Sequence, residues 1–276
     1  MKKLFGVIGD PIAHSMSPAM HNDLFELYGI DAVYLPFHVS KGNLEAAVKG
    51  LKALGVSGFN VTIPHKTDII PYLDKVDPLA RAIGAVNTVK NENGLLVGYN
   101  TDGPGFVKGL ESMAADLASR SALIIGAGGA ARAIYFSMAQ AGIEKIDIYN
   151  RTTDKAEELV SSCPYKVESK VIGRVAAEKS LAYYQLVIQT TSIGMVPDTE
   201  NLPLLPENLT QNSIVSDIIY NPLQTKFLKE AAKRGAAVQN GVGMFVFQGA
   251  LAFEIWTGIF PDIERMETNV LRNLGG

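Results

Sequence analysis

The chain has 276 residues, 47% of them hydrophobic and 19% charged, enough for a large core and, by length, about two domains, which excludes disorder as its main state. Twenty-five basic against 28 acidic residues leave a formal charge of -3, and a pI near 5.9 offers no general positive field for a polyanion, which argues against nucleic-acid and membrane-surface partners. The single Cys163 excludes an internal disulfide and a cysteine-caged zinc, so a reducing, cytoplasmic setting is expected.

In chain order, the opening MKKLFGVIGD carries an apolar run too short for the core of a signal peptide, and it reads as a strand over 4–8. Further β-rich runs at 33–37, 58–61, 85–89 and 95–99 alternate with helical periods at 18–28 and 43–54. A turn-rich seam at 99–105 comes before a helix expected from about Phe106. Beyond it the alternation is cleaner: strand 122–125, helix 130–141, strand 145–149, helix 154–160, then strands 186–189 and 214–217. Strands separated by crossover helices imply a parallel sheet covered on both faces. A second seam at 239–243 leads into the apolar stretch 242–260, which Gln248 and Glu254 interrupt, so it reads as a buried helix and not a bilayer span. The expected fold is α/β with two domains. One is discontinuous, 1–101 with 242–276; the other, 102–241, is a Rossmann-like doubly wound parallel sheet.

The strand Leu123-Ile124-Ile125 runs into Gly126-Ala127-Gly128-Gly129-Ala130-Ala131 and then a helical pattern. That is the order of a dinucleotide-binding turn: Gly126 for the tight bend, Gly128 for close approach of a pyrophosphate, Ala131 for close packing, and helix N–H groups for the phosphates. Where an NAD enzyme places an acidic residue at the end of the second strand, this chain has Asn150-Arg151-Thr152, with Lys155 after it. A carboxylate would repel a 2′-phosphate; Arg151 and Thr152 bond it, which favours NADP. The competing reading makes Arg151 a solvated loop residue and Thr152 or Thr153 a helix cap.

Hydride transfer to or from an alcohol also needs an acid or base. No tyrosine is followed by lysine four positions on, and all four histidines precede the glycine turn, so the catalytic group is expected in the first domain. In Gly58-Phe59-Asn60-Val61-Thr62-Ile63-Pro64-His65-Lys66, alternation puts Asn60 and Thr62 on one face as candidate substrate-binding residues, and Lys66 is a candidate acid/base with His65 as its rival. Asp102 is either a helix cap or a carboxylate at the domain seam. Ser17 before Pro18 matches a helix start. With Ser15 and nearby N–H groups it offers a site for a substrate carboxylate, since Arg81 is the only arginine before residue 120. Asn87 and Gln248 suit a polyhydroxylated ligand, although each taken alone is an ordinary polar residue of a strand or a core helix.

The ordered set GDPIAHSMSPAMHN, GFNVTIPHK, GAVNTV, GYNTDGPGF, GAGGAARA, NRT and GMFVFQGALAFEIWTG resembles the shikimate dehydrogenase family over nearly the whole chain. The resemblance implies reversible NADPH-dependent reduction of 3-dehydroshikimate to shikimate, on the route to chorismate and the aromatic amino acids, by two α/β domains flanking a cleft. It gives Ser15, Ser17 and Tyr220 to the substrate carboxylate, and Thr62, Asn87 and Gln248 to its hydroxyls. Lys66 becomes the proton donor, oriented by Asp102. Gly126, Ala127, Gly128, Gly129 and Ala130 face the pyrophosphate, and Asn150, Arg151, Thr152 and Lys155 the adenosine phosphate. Thr190, Ile218, Gly241 and Met244 surround the nicotinamide. Family members often carry arginine where Lys155 stands, and lysine lacks the planar fork. A quinate/shikimate dehydrogenase with broader cofactor use, a catalytically silent NADP-binding protein, and a monomer or homodimer all remain open at this stage.

Overall fold

A computed structural model describes residues 2–114 and 116–275. The strands and α-helices in chain order are β1 (Lys3–Gly9), α1 (Ser17–Leu27), β2 (Ala32–His38), α2 (Leu44–Ala53), β3 (Gly58–Val61), β4 (Lys75–Val76), α3 (Pro78–Ile83), β5 (Thr88–Glu92) and β6 (Leu95–Tyr99). They continue with α4 (Asp102–Glu111), β7 (Ser121–Ile125), α5 (Gly129–Gln140), β8 (Lys145–Tyr149), α6 (Thr153–Ser161) and α7 (Arg174–Ser180). The last are β9 (Leu186–Gln189), β10 (Ile214–Asp217), α8 (Lys226–Lys233), β11 (Ala237–Gln239), α9 (Gly241–Thr257) and α10 (Ile263–Asn273). Two compact units result, one of Met1–Gly105 with Val246–Gly276, the other of Phe106–Phe245.

The two-segment unit holds a six-stranded sheet in the order β2-β1-β3-β5-β6-β4. β1 pairs in parallel with β2 and β3, whereas β3-β5 and β5-β6 are antiparallel, so this sheet is mixed. One face packs Ile8, Phe59, Val61, Val89 and Leu96 against Val48 and Leu51 of α2. An aromatic cluster of Phe5, Phe25, Phe253 and Trp256 ties α1 and α9 to the unit, and the Trp256 indole N–H donates to the Val89 carbonyl at 3.0 Å. The strand expected at 85–89 starts later, at Thr88, and runs to Glu92. Before it, the Val86 N–H bonds to the Lys66 carbonyl at 2.7 Å and the Asn87 N–H to Tyr99 at 3.0 Å, so residues 86–87 are held by a loop and by a strand end.

The second unit is a five-stranded, wholly parallel sheet in the order β11-β10-β9-β7-β8. Its first strand, β7, is internal and has β8 on one side and β9 on the other, so the winding reverses between β7 and β9. In sheets of this kind the strand ends at such a reversal are where ligands bind. Val187, Leu123 and Val215 pack with Phe227, Leu228 and Ala231 of α8. Thr225 caps α8, its hydroxyl oxygen accepting the Leu228 N–H at 3.3 Å, and α3, α7, α8 and α10 lie outside the helical periods expected from the sequence.

Candidate active site

In the two-segment unit, strand ends and one helix start bring together side chains far apart in sequence. The Lys66 ammonium donates to Asp102 Oδ2 at 2.8 Å, with the two side chains 31% and 15% exposed, so the pair faces solvent on one side only. The other carboxylate oxygen, Oδ1, accepts from the Asn87 amide at 2.9 Å. Asn87 is itself fixed: its oxygen accepts the Thr101 N–H at 2.8 Å and its NH2 group donates to the Thr101 hydroxyl at 2.9 Å. Lys66 keeps two further N–H donors, and Asp102 keeps lone pairs, for a polar solute.

Asp102 lies in the first turn of α4, four residues before the helix start expected from the sequence. It is not the cap. The Asn100 side-chain oxygen accepts from the N–H groups of Asp102 at 3.1 Å and Gly103 at 3.4 Å, which leaves the Asp102 carboxylate for Lys66 and Asn87. His65 and Lys66 differ in burial and in their partners. His65 is fully buried, with Nε2 bonded to the Val39 carbonyl at 2.6 Å, while the next residue turns its amine outward to Asp102.

Asn60 is 7% exposed and its amide is taken up within the chain: its oxygen accepts from the Tyr34 hydroxyl at 2.7 Å, and its nitrogen donates to the Asn87 carbonyl at 3.1 Å and the Thr88 hydroxyl at 3.0 Å. Thr62, half-buried, follows β3 and donates its N–H to the Ile8 carbonyl at 3.0 Å. Ser17 opens α1 and its N–H donates to the half-exposed Ser15 hydroxyl oxygen at 3.3 Å. Gly105, one turn into α4, lacks a side chain where a Cβ would stand 2.6 Å from the Gln248 backbone nitrogen, so α9 lies directly against α4 and brings Gln248 beside that helix. Tyr34, Thr88, Thr101 and Asn100 went unassigned in the sequence reading because their partners lie up to 28 residues away.

In the second unit, Gly126 bends the chain at φ +116°, where a Cβ would stand 2.5 Å from the Thr190 hydroxyl oxygen. Thr190 donates that hydroxyl to the Ile125 carbonyl at 2.7 Å, so Gly126 and Thr190 close the ends of β7 and β9 at the reversal point. Gly128 occupies the cap position of α5, and open space lies where Cβ atoms of Gly128 and Gly129 would be. With no side chain to cap it, the first turn keeps N–H groups for an anion. A depression of about 280 Å³ is lined there by Ala127, Gly128, Gly129, Arg132, Lys155, Glu158 and Leu159. Arg132 and Glu158 are additions to the sequence reading. Thr152 holds the cap position of α6 without a capping bond from its hydroxyl, Asn150 donates to the Thr152 carbonyl at 2.7 Å, and Arg151 and Lys155 are exposed. A glycine cradle with cations beside the next helix start fits a phosphorylated dinucleotide.

At the end of β10 the Ile218 N–H bonds to Gln189 at 3.1 Å and the Gly241 N–H to Ile219 at 2.9 Å. Met244 sits half-buried in the first turn of α9, and the exposed Tyr220 lies against Phe245 with ring centroids 5.8 Å apart. Burial pushes the Asp217 carboxyl up to about 6, against the Ile219 N–H at 3.0 Å and the Thr225 hydroxyl at 2.8 Å. Among the described residues no group of His, Cys, Asp or Glu is arranged to hold a metal, and no helix is long and apolar enough to cross a membrane.

Three family profiles match the chain in order: shikimate dehydrogenase substrate binding domain over residues 7–89, shikimate/quinate 5-dehydrogenase over 109–218, and shikimate 5′-dehydrogenase C-terminal domain over 241–271. A shikimate dehydrogenase (NADP+) of Bacillus cereus is 57% identical over 277 residues, covering 100% of both chains. A crystal structure of a shikimate dehydrogenase in complex with NADP+ aligns with a TM-score of 0.90 at 43% identity, covering 98% of this chain and 95% of that one. The shikimate 5-dehydrogenase of Listeria monocytogenes, in complex with shikimate and NAD, aligns at 0.93 with 37% identity, covering 98% and 96%. With full-length identity at this level and a profile on each successive part of the sequence, the chain belongs to the shikimate dehydrogenase family.

Proposed function

We propose that the chain catalyses the reversible, NADPH-dependent reduction of 3-dehydroshikimate to shikimate, on the route to chorismate and the aromatic amino acids, in the cytoplasm. The observation that carries the reading is the Lys66–Asp102 pair, 2.8 Å apart and open on one side, in a chain of this family. When bound, NADPH supplies the hydride that the carbonyl carbon takes up. Lys66, held at Nζ by Asp102, gives its proton to the C3 oxygen as that oxygen gains negative charge, and regains one from solvent. In the oxidation the neutral Lys66 amine takes the hydroxyl proton. Asp102 accepts from Lys66 and Asn87 and orients both the amine and a substrate hydroxyl.

Met1–Gly105 with Val246–Gly276 form the substrate domain and Phe106–Phe245 the cofactor domain in this reading, a few residues beyond the bounds expected from the sequence. Ser15, Ser17 and Tyr220 hold the substrate carboxylate; Thr62, Asn87 and Gln248 its hydroxyls, with Asn60 behind them. Gly126, Ala127, Gly128, Gly129 and Ala130 meet the pyrophosphate, Asn150, Arg151, Thr152 and Lys155 the 2′-phosphate, and Thr190, Ile218, Gly241 and Met244 the nicotinamide. Purified protein supplied with shikimate and NADP+ is expected to produce the reduced-nicotinamide absorbance. Lys66→Ala should lower kcat by about 10²- to 10⁴-fold with little change in shikimate affinity. A wild-type chain inert toward shikimate would refute the reading. A second reading, quinate/shikimate dehydrogenase with broader cofactor use, is favoured by Lys155, a point charge in place of a planar fork, and by Glu158, an acidic residue lining the same depression. Kinetics with shikimate and quinate against NADP+ and NAD+ separate the two.

A further inference from the structure

Asp102 is held by more than its neighbours. From the core outward, the Tyr34 hydroxyl donates to Asn60 Oδ1 at 2.7 Å, the Asn60 amide to Thr88 Oγ1 at 3.0 Å, the Thr88 hydroxyl to Asn87 Oδ1 at 3.2 Å, and the Asn87 amide to Asp102 Oδ1 at 2.9 Å. With the Thr88 proton on Asn87, and Thr101 Oγ1, also 3.2 Å from Thr88 Oγ1, donating to it, every donor in this series points toward the carboxylate. Bonds aligned in one sense polarise one another in a low-dielectric interior, so the series strengthens the last donor, the one that meets the anion. Its inner end is rigid. Tyr34 is fully buried, its ring stacked on His21 with centroids 4.6 Å apart and an interplanar angle of 20°, and tilted against Trp256 at 6.1 Å. Burial raises its pKa well above 10, so the hydroxyl stays a donor, while a bond from Ser17 works in the opposite direction. Asn60 also donates to the Asn87 main-chain carbonyl at 3.1 Å, so the strut grips both ends of the residue that anchors Asp102.

We propose that Tyr34, acting through Asn60 and Thr88, is a positioning residue for the Lys66–Asp102 pair, and that Asn60 serves the reaction from inside the sheet. The inference rests on the reading of Lys66 and Asp102 as the proton-transfer pair. Without its hydroxyl, position 34 leaves Asn60 Oδ1 a buried acceptor with no donor from that side, and the amide shifts to find one. The shift is transmitted to Asn87 and so to the acid beside the reacting oxygen.

The test uses Tyr34→Phe, which keeps the ring, and Thr88→Val, which breaks the series at its middle with an isosteric residue suited to a strand. Each should lower kcat for shikimate oxidation about tenfold while the calorimetric Kd for shikimate stays within about threefold. In an Asp102→Asn background, Tyr34→Phe should cost less than about a further twofold, because the anion that the series positions is already gone. Wild-type kcat in both variants, a rise in Kd at constant kcat, or an undiminished loss in the Asp102→Asn background would overturn the proposal. Should Tyr34→Phe be recovered unfolded, Thr88→Val decides by the same criteria. A wild-type protein that does not oxidise shikimate refutes the functional reading instead.

Discussion

His21 gives the structure a measurable acid weakness. Its ring is fully buried, neither nitrogen has a hydrogen-bond partner, and burial pushes its pKa from 6.5 down to about 3. The folded state therefore refuses a proton that the unfolded chain accepts. Proton linkage at this group costs nothing well above pH 6.5, and stability is lost as the pH falls from there toward 3. At pH 5, 1.5 units below the unfolded pKa, the loss at 1.36 kcal/mol per unit is about 2 kcal/mol. His21→Phe removes the titration but keeps a flat ring against Tyr34. Any change in packing is the same at both pH values and cancels in the comparison. Trp256 is the only tryptophan and lies 5.3 Å from the His21 ring, so its fluorescence during urea unfolding reports on this unit. Between pH 7.5 and 5 the variant should lose about 2 kcal/mol less stability than the wild type. Parallel losses in the two proteins would refute the reasoning.

Arg151→Asp should raise the KM for NADP+ at least about tenfold and leave that for NAD+ within about threefold, since it replaces a phosphate partner by a repelling charge; an unchanged ratio rejects the assignment. Gly105→Ala forces α4 and α9 apart where a Cβ meets the Gln248 backbone at 2.6 Å. Overpacking of this kind costs about 1–3 kcal/mol, seen as a lower Tm, and displacement of Gln248 should raise the KM for shikimate. For Asp217, folded near 6 and unfolded near 3.8, the native state keeps the proton longer, so stability present at low pH is lost as the pH rises through 6. Asp217→Asn should remove about 2 kcal/mol of that loss between pH 4.5 and 7.5, measured by circular dichroism during denaturation.

The features legible in the sequence were those encoded locally. The turn Gly126 to Ala131 could be read because its glycines answer the needs of a strand, a bend and a helix that are adjacent in the chain, and the Asn150-Arg151-Thr152 end of β8 follows at a fixed distance. Nothing local decided between His65 and Lys66. The choice depends on where Val39, 26 residues earlier, offers a carbonyl, and where Asp102, 36 residues later, offers a carboxylate. The strand expected at 85–89 was misplaced for the same reason: residues 85 and 86 look extended and apolar, yet the N–H groups of 86 and 87 are committed to Lys66 and Tyr99.

The start of α4 joins these levels. In Asn100-Thr101-Asp102-Gly103, Asn100 and Asp102 are the two strongest cap formers, and the choice between them decides whether the Asp102 carboxylate is free to pair with Lys66. Were Asp102 the cap, its oxygens would turn to the next N–H groups of its own helix, and Lys66 would lose the anion that holds it. Asn100 caps instead, and its amide nitrogen is anchored on the Ala85 carbonyl at 3.0 Å. The same anchor ties the helix start to the segment that leads into Asn87. A cap without charge is thus spent on the helix, and the charged residue two positions later is left for Lys66 and Asn87. Exchanging the two residues would preserve the composition and the helix signal while dismantling the pair, which is why a lysine and an aspartate at this spacing carry no catalytic meaning until the capping is known.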